Sequence, residues 1–386
     1  MKITFFSNFL NHHQYPLCNK LLKLPNIDFH FVATSRIPDE RVSFGYSDMN
    51  KESFVIREYE NDEQKKIAEK LCVESDVIIF GSAPEKYAKM RLETNKLLLR
   101  YSERIFKNGL IHSFSPKAIK NIGQNHTVYR NKNVYLLGAS AYAAADYNRM
   151  GAYPDKVYKW GYFPDIKTYS SPKEIISNKK PGTILWAARF ISLKRPFLAL
   201  DVAKKLKEDG YNFQLNMIGN GELFEAVTER IKKDNLEDCV NLLGSMSPQE
   251  VREKMEESEI FLFTSDFNEG WGAVLNESMN SCCAVVASHA IGSVPYLIEH
   301  TKNGLIFKNE SFDSLYGNVC SLLDNSSFRS SVQNNAYDTI ANLWNPEVAA
   351  KRLVLLSEDL ISGGKSERFS SGPCSRAEKL GNRWFK

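Results

Sequence analysis

The chain has 386 residues, 43% hydrophobic and 25% charged, with a formal net charge of +4. That length accommodates two domains, each able to bury its own core, and that composition excludes a mainly disordered chain. The seven cysteines form no short-spaced metal pattern, since Cys282 and Cys283 are adjacent and the rest lie far apart; reduced thiols and a cytoplasmic setting are therefore expected.

The N-terminal MKITFFSNFLNHHQYP has a short apolar stretch followed by polar residues and reads as a first strand, not a leader. No window approaches the ~18 apolar residues of a spanning helix, so any membrane contact is expected to be peripheral, at the inner face. Strand candidates KITFFS, FHFVAT, SFVIRE, DVIIFG, KLLLRY and NVYLLGAS alternate with helical stretches such as NDEQKKIAEKLC and PEKYAKMRLETN. This alternation predicts a parallel sheet with crossover helices over residues 1–165.

Within that half, Arg100, Arg104, Lys107, Lys117, Lys120, Arg130 and Lys132 face a single acid, Glu103, with Tyr101, Phe106, Phe114 and Tyr129 interleaved. An anionic membrane surface, an anionic acceptor and RNA are each compatible with such a stretch (100–132), as is a solvated basic face. Over residues 163–182 periodicity lapses and Pro, Ser and Lys accumulate, which predicts a linker at 166–182.

Strands GTILWAA, FQLNMIG, VNLL, IFLFTS and AVVAS then alternate with helices, predicting a doubly wound sheet over 183–345. A helix PEVAAKRLVLLSEDL (346–361) follows the capping Asn345, and the aperiodic residues 362–386 read as a disordered tail.

In open α/β sheets ligands sit beyond the carboxyl ends of strands. Four segments of the second half meet that condition: AARFISLK, IGNGE, LGSMSP (with Ser245 and Met246) and NEGWGAVLNE. Arg189 and Lys194 follow a buried strand and can reach anionic oxygens, a diphosphate being the natural ligand. Gly219-Asn220-Gly221 leaves amides open at a helix start; it lacks the full Gly-x-Gly-x-x-Gly pattern, which disfavours a nicotinamide dinucleotide site. In the first half, His12 and His13 are read as opening a helix capped by Asn11 after the first strand, and either can act as a base or orient a hydroxyl.

NEGWGAVLNE places Glu269 and Glu277 eight positions apart. Three further pairs, Glu52/Glu60, Glu85/Glu93 and Glu229/Glu237, share the spacing, so the spacing alone carries nothing. None of those pairs has glycines between its members, whereas Gly270 and Gly272 let the backbone run close to a ligand ahead of a helix. Glu269 precedes the turn and Glu277 lies one turn into the helix, so the two carboxylates would grip different parts of one ligand rich in vicinal hydroxyls, such as a sugar and a ribose.

This set, in this order, resembles the donor half of the retaining glycosyltransferases of family 4, which have the GT-B architecture: an α/β fold of two facing Rossmann-like, doubly wound parallel-sheet domains with a cleft between them. The resemblance implies that Arg189 and Lys194 bind the donor diphosphate, Glu269 the transferred hexose and Glu277 the ribose. It implies that amides from Gly270 through Trp271 and Gly272 to Ala273 face the sugar and phosphates, with Gly219, Gly221, Ser245 and Met246 nearby. Three departures stand out: Ala188 replaces the glycine that usually precedes the arginine, the first loop SNFLNHHQYPL has no glycine, and RYSERIF occupies a position where many members carry His. The acceptor side therefore falls to Asn11, His12, His13, Ser102 or Glu103.

The expected reaction is transfer of a hexose-type sugar, with retention, from a nucleoside-diphosphate sugar such as a UDP-sugar to a saccharide or lipid-linked acceptor in surface polysaccharide or glycolipid synthesis. No Asp-x-Asp is present, and neither a metal, a separate cofactor nor a nucleic acid partner is expected. A sugar-nucleotide epimerase and a catalytically silent nucleotide-sugar binder remain open alternatives.

Overall fold

A computed structural model describes residues 1–38, 47–107 and 109–385. It divides into two compact units, Met1–Asp165 with Trp344–Gly381, and Ile166–Leu343 with Asn382–Lys386.

The first unit is built on seven strands: β1 (Lys2–Ser7), β2 (Asp28–Ala33), β3 (Val55–Arg57), β4 (Val77–Phe80), β5 (Leu97–Ser102), β6 (Val134–Gly138) and β7 (Val157–Lys159). They pair in parallel in the order β3-β2-β1-β4-β5-β6-β7. Phe6, Ile78, Phe80, Leu98 and Leu136 fill one core beneath this sheet. Near-continuous apolar strands such as VIIF suit a sheet covered on both faces.

Strand β7 is too short and too aromatic to stand out as a period-2 run, and the sequence reading missed it. The tail also departs from expectation, because residues 362–381 are ordered against this unit. Tyr158 and Arg376 form an antiparallel bridge, the Lys159 amide donates to the Ser375 carbonyl at 2.7 Å, and Cys374 is buried. The tail needs no amphipathic period to do this, since it covers the open edge of β7 by backbone pairing. The terminal helix runs Pro346–Gly363 and packs against the helix Tyr15–Leu22 within the same unit.

The second unit carries β8 (Lys180–Ala187), β9 (Gln214–Ile218), β10 (Val240–Gly244), β11 (Ser258–Phe263), β12 (Ala284–Ser288) and β13 (Leu305–Phe307). Their order is β10-β9-β8-β11-β12-β13, again all parallel. Ile184, Trp186, Met217, Ile260, Leu262 and Val286 form its core. The stretch read as a linker holds a short helix, Pro172–Ser177, and is tied to this unit where the Lys167 amide donates to Asn280 Oδ1 at 2.8 Å and that of Tyr169 to Tyr337 Oη at 3.1 Å. The expectation of two Rossmann-like parallel sheets therefore holds. No helix among the described residues is long and apolar enough to cross a membrane.

Candidate functional site

In the second unit the strand order reverses between β8 and β11, which leave that point toward opposite edges, so the loops following them open a crevice at the carboxyl ends. The loop after β8 is locked to the end of β11. Thr264 accepts a hydrogen bond from Trp186 Nε1 at 2.9 Å and donates to the Lys194 carbonyl at 2.6 Å, while the Asp266 amide donates to the Leu193 carbonyl at 3.0 Å. Lys194 closes the turn Ser192–Lys194, and its ammonium forms an ion pair with Glu269. The two side chains are only 15% and 13% exposed, which weakens solvent screening of the pair. Arg189, by contrast, is exposed and enters no ion pair among the described residues.

The NEGWGAVLNE loop starts with a tight turn in which Asp266 accepts from the amides of Asn268 (2.8 Å, through its carboxylate) and Glu269 (3.0 Å, through its carbonyl). Gly272 has φ +79°, and a Cβ there would sit 2.3 Å from the Phe263 ring, so no other residue fits. Among the described residues the amides of Gly270, Gly272 and Ala273 donate to no protein acceptor. The Trp271 indole is fully buried and donates to Asn276 Oδ1 at 2.9 Å, so this side chain anchors the loop, whereas the reading from sequence concerned the loop's backbone amides.

Glu277 lies in the helix Val274–Asn280, which Ala273 precedes. Burial pushes its carboxyl above the usual range, opposed by Arg252. Its carboxylate accepts no hydrogen bond among the described residues, which leaves lone pairs for hydroxyl donors.

The Gly219-Asn220-Gly221 loop has a different role from the open-amide one read from the sequence. The Gly219 amide donates to the Gly244 carbonyl at 2.8 Å and the Gly221 amide to Asn220 Oδ1 at 2.7 Å. A Cβ at Gly219 would lie 2.0 Å from the Ala188 oxygen and one at Gly221 2.6 Å from that of Phe190. These glycines let the loop press against the backbone of Ala188 and Phe190, the residues on either side of Arg189, and their amides are already committed. Ser245 and Met246 follow the edge strand β10, two strands from β8 in the sheet order.

In the first unit, Asn11 Oδ1 accepts from the amides of His13 (3.0 Å) and Gln14 (3.1 Å), so it caps a turn, and the helix read as opening at His12 starts only at Tyr15 (Tyr15–Leu22). The His12 and His13 rings are 3.7 Å apart, and His13 stacks on Tyr162 at 5.2 Å. Tyr162 donates to Glu103 at 2.6 Å, Lys107 pairs with the other Glu103 oxygen at 2.5 Å, and Tyr147 donates to Ser102 Oγ at 3.0 Å. The structure thus joins His13 to Glu103 through Tyr162, which the sequence reading missed because Tyr162 lies far from both in sequence. Arg100 and Arg104 correct the basic-stretch reading: both are buried, on Glu85 at 2.8 Å and on Asp146 at 3.4 Å.

Residues 169–339 match a family described as glycosyl transferases group 1. The amylovoran biosynthesis glycosyltransferase AmsK of Erwinia amylovora is 34% identical over 130 residues, 32% of each chain. The N-acetylgalactosamine-N,N'-diacetylbacillosaminyl-diphospho-undecaprenol 4-alpha-N-acetylgalactosaminyltransferase of Campylobacter jejuni is 30% identical over 158 residues, 41% of each chain. The matched part spans about a third of the length of the first curated relatives. The crystal structure of Anabaena HepE in complex with UDP superposes with a TM-score of 0.69 at 16% identity, covering 93% of this chain and all of that one, a likeness of fold. The segment that holds Arg189, Lys194, Glu269 and Glu277 is therefore the part of this chain that is similar to group 1 glycosyl transferases.

Proposed function

We propose that the protein is a glycosyltransferase that moves a hexose-type sugar from a nucleoside-diphosphate sugar, a UDP-sugar, to a saccharide or lipid-linked acceptor in surface polysaccharide or glycolipid synthesis. The observation that carries this reading is the half-buried Lys194–Glu269 pair at the strand-order reversal, beside loop amides without protein acceptors. A cation, a carboxylate and amides converging there suit a ligand with an anionic part and a hydroxylated part.

In this reading Arg189 and Lys194 take the diphosphate, and Lys194 leaves Glu269 as it does so. Glu269 then accepts from hydroxyls of the transferred sugar, and Glu277 from the ribose. As the glycosidic bond breaks, charge accumulates on the departing diphosphate, where Arg189, Lys194 and the amides of Gly270, Gly272 and Ala273 stabilise it. Retention, with attack from the face of the leaving group, follows the family resemblance. The names of the Erwinia and Campylobacter relatives support a polysaccharide or lipid-diphosphate acceptor. His13, held by Tyr162 and Asn11, is the residue we assign to orienting the acceptor hydroxyl.

The test is incubation of the purified protein with a panel of nucleotide sugars, with and without undecaprenyl-diphosphate-linked acceptors. Acceptor-dependent release of nucleoside diphosphate supports the reading. Donor conversion without acceptor would establish an epimerase instead, and donor binding without turnover a silent binder.

A further inference from the structure

The most exposed large apolar side chains among the described residues are concentrated in one short segment of the first unit. Ile111 (76% exposed), Phe114 (73%), Val128 (64%) and Ile119 (52%) fall within 18 residues, counted inclusively from 111 to 128. Two short turns, Leu110–Phe114 and Thr127–Tyr129, pack against the helix Pro116–Asn125, so the elements that carry these side chains adjoin one another.

The segment is held firmly from beneath. Ile122 is buried, Arg100 donates to the Asn125 carbonyl at 2.9 Å, His126 Nδ1 meets Tyr153 Oη at 2.6 Å, and Thr127 donates to the Met150 carbonyl at 2.7 Å. Its inward groups are thus used by the core, and the exposed isoleucines, phenylalanine and valine are surplus to it.

Around them stand Lys117, Lys120, Arg130 and Lys132, all exposed, and Lys156, whose ammonium donates to the Arg130 and Lys132 carbonyls at 3.0 and 2.8 Å. From Arg104 to Ala145 the sequence contains no Asp or Glu. The nearby Glu85 is engaged by Arg100.

We infer that this face, residues 111–132, docks on the surface of an anionic phospholipid bilayer, with Ile111, Phe114, Ile119 and Val128 entering the interface and the lysines and arginine meeting headgroup phosphates. Charge complementarity selects this occupant: a second copy would oppose two cationic faces, whereas an anionic bilayer offers both negative charge and an apolar layer below it. The inference is independent of the donor site and narrows the basic stretch to its outward half, since Arg100 and Arg104 turn inward.

The experiment is sedimentation of the whole chain with vesicles of phosphatidylcholine alone or mixed with phosphatidylglycerol, at low and high salt. Binding is expected only with phosphatidylglycerol and is expected to weaken as salt rises. Lys117→Gln with Lys120→Gln should lower the partition coefficient on the order of twentyfold, about fivefold per charge. Ile111→Ser with Phe114→Ser should lower it at least about tenfold at unchanged charge. In Phe114→Trp the new indole should shift its emission to the blue on anionic vesicles. Unchanged melting temperature and UDP affinity in these variants would show that neither folding nor the donor site is what changed.

Failure to sediment with anionic vesicles, equal binding to neutral ones, or indifference to both double variants would overturn the inference. So would a concentration-dependent dimer that the Phe114 substitution dissolves, since the face would then belong to a second copy.

Discussion

Lys194 and Glu269, 75 residues apart in sequence, form a half-buried ion pair at the point where the strand order of the second sheet reverses. The lysine charge is neutralised by the residue assigned to the sugar. Glu269→Gln should release Lys194 and keep or tighten UDP affinity up to several-fold, the scale of about 1 kcal/mol for a pair that is not fully buried. Sugar transfer should meanwhile fall roughly a hundredfold or more. Calorimetry with UDP and a transfer assay check both, and retained transfer in this variant would remove Glu269 from its assigned role.

Arg189 is exposed and forms no ion pair among the described residues, so its removal should cost the fold little. Arg189→Ala is expected to weaken UDP binding by about tenfold to a hundredfold, the scale of a charge-assisted hydrogen bond. Its melting temperature should stay within about 1 °C of the parent. Unchanged UDP affinity would count against a diphosphate contact.

Gly219 and Gly317 should respond to alanine with opposite signs. At Gly219, with φ +129°, the new methyl would meet the Ala188 carbonyl oxygen at 2.0 Å, so the loops must part, at about 3 kcal/mol or more. Gly317 lies in the helix Phe312–Asp324 with no atom within 4 Å of the added carbon, so Gly317→Ala should stabilise by up to about 1 kcal/mol. Urea denaturation distinguishes the two. Because the Gly219 loop backs Arg189, Gly219→Ala should also weaken UDP binding, and an unperturbed affinity would show that the loop does not set that side chain.

Burial, reinforced by the Arg100 guanidinium, lowers the His126 imidazole from its usual 6.5 to about 3. Between these values the unfolded chain binds a proton that the folded chain refuses. The stability held by neutral His126 is complete above about pH 6.5 and is lost as the pH falls toward 3, at up to about 1.4 kcal/mol per pH unit. His126→Gln should therefore lose less stability than the parent between pH 7 and pH 5, by about 2 kcal/mol at most. Parallel urea midpoints for the two proteins would refute this account.

The sequence by itself determined the two parallel sheets and the place of NEGWGAVLNE. Both rest on local signals: buried strands that are apolar throughout, and glycines followed by a helix start. Helices such as Pro196–Glu208 and Pro248–Glu257 announce themselves through N-terminal proline and their apolar spacing. Short strands such as β13 carry too few residues for a period and escaped notice, as did the helices Phe312–Asp324 and Ser326–Asn342.

Only the tertiary structure decided which partners these side chains and amides meet. Trp271 and Arg100 are polar-tipped residues in segments that read as accessible, yet Asn276, in the helix that follows the loop, and Glu85, on the helix before the Arg100 strand, draw them inward. The Gly219 amide is taken by Gly244 on an adjacent strand, and Tyr162 reaches His13 across nearly 150 residues of chain. Such pairings arise because parallel strands bring together loops that sequence keeps far apart, so composition and spacing cannot encode them, whereas propensity and periodicity act within a few turns of the chain.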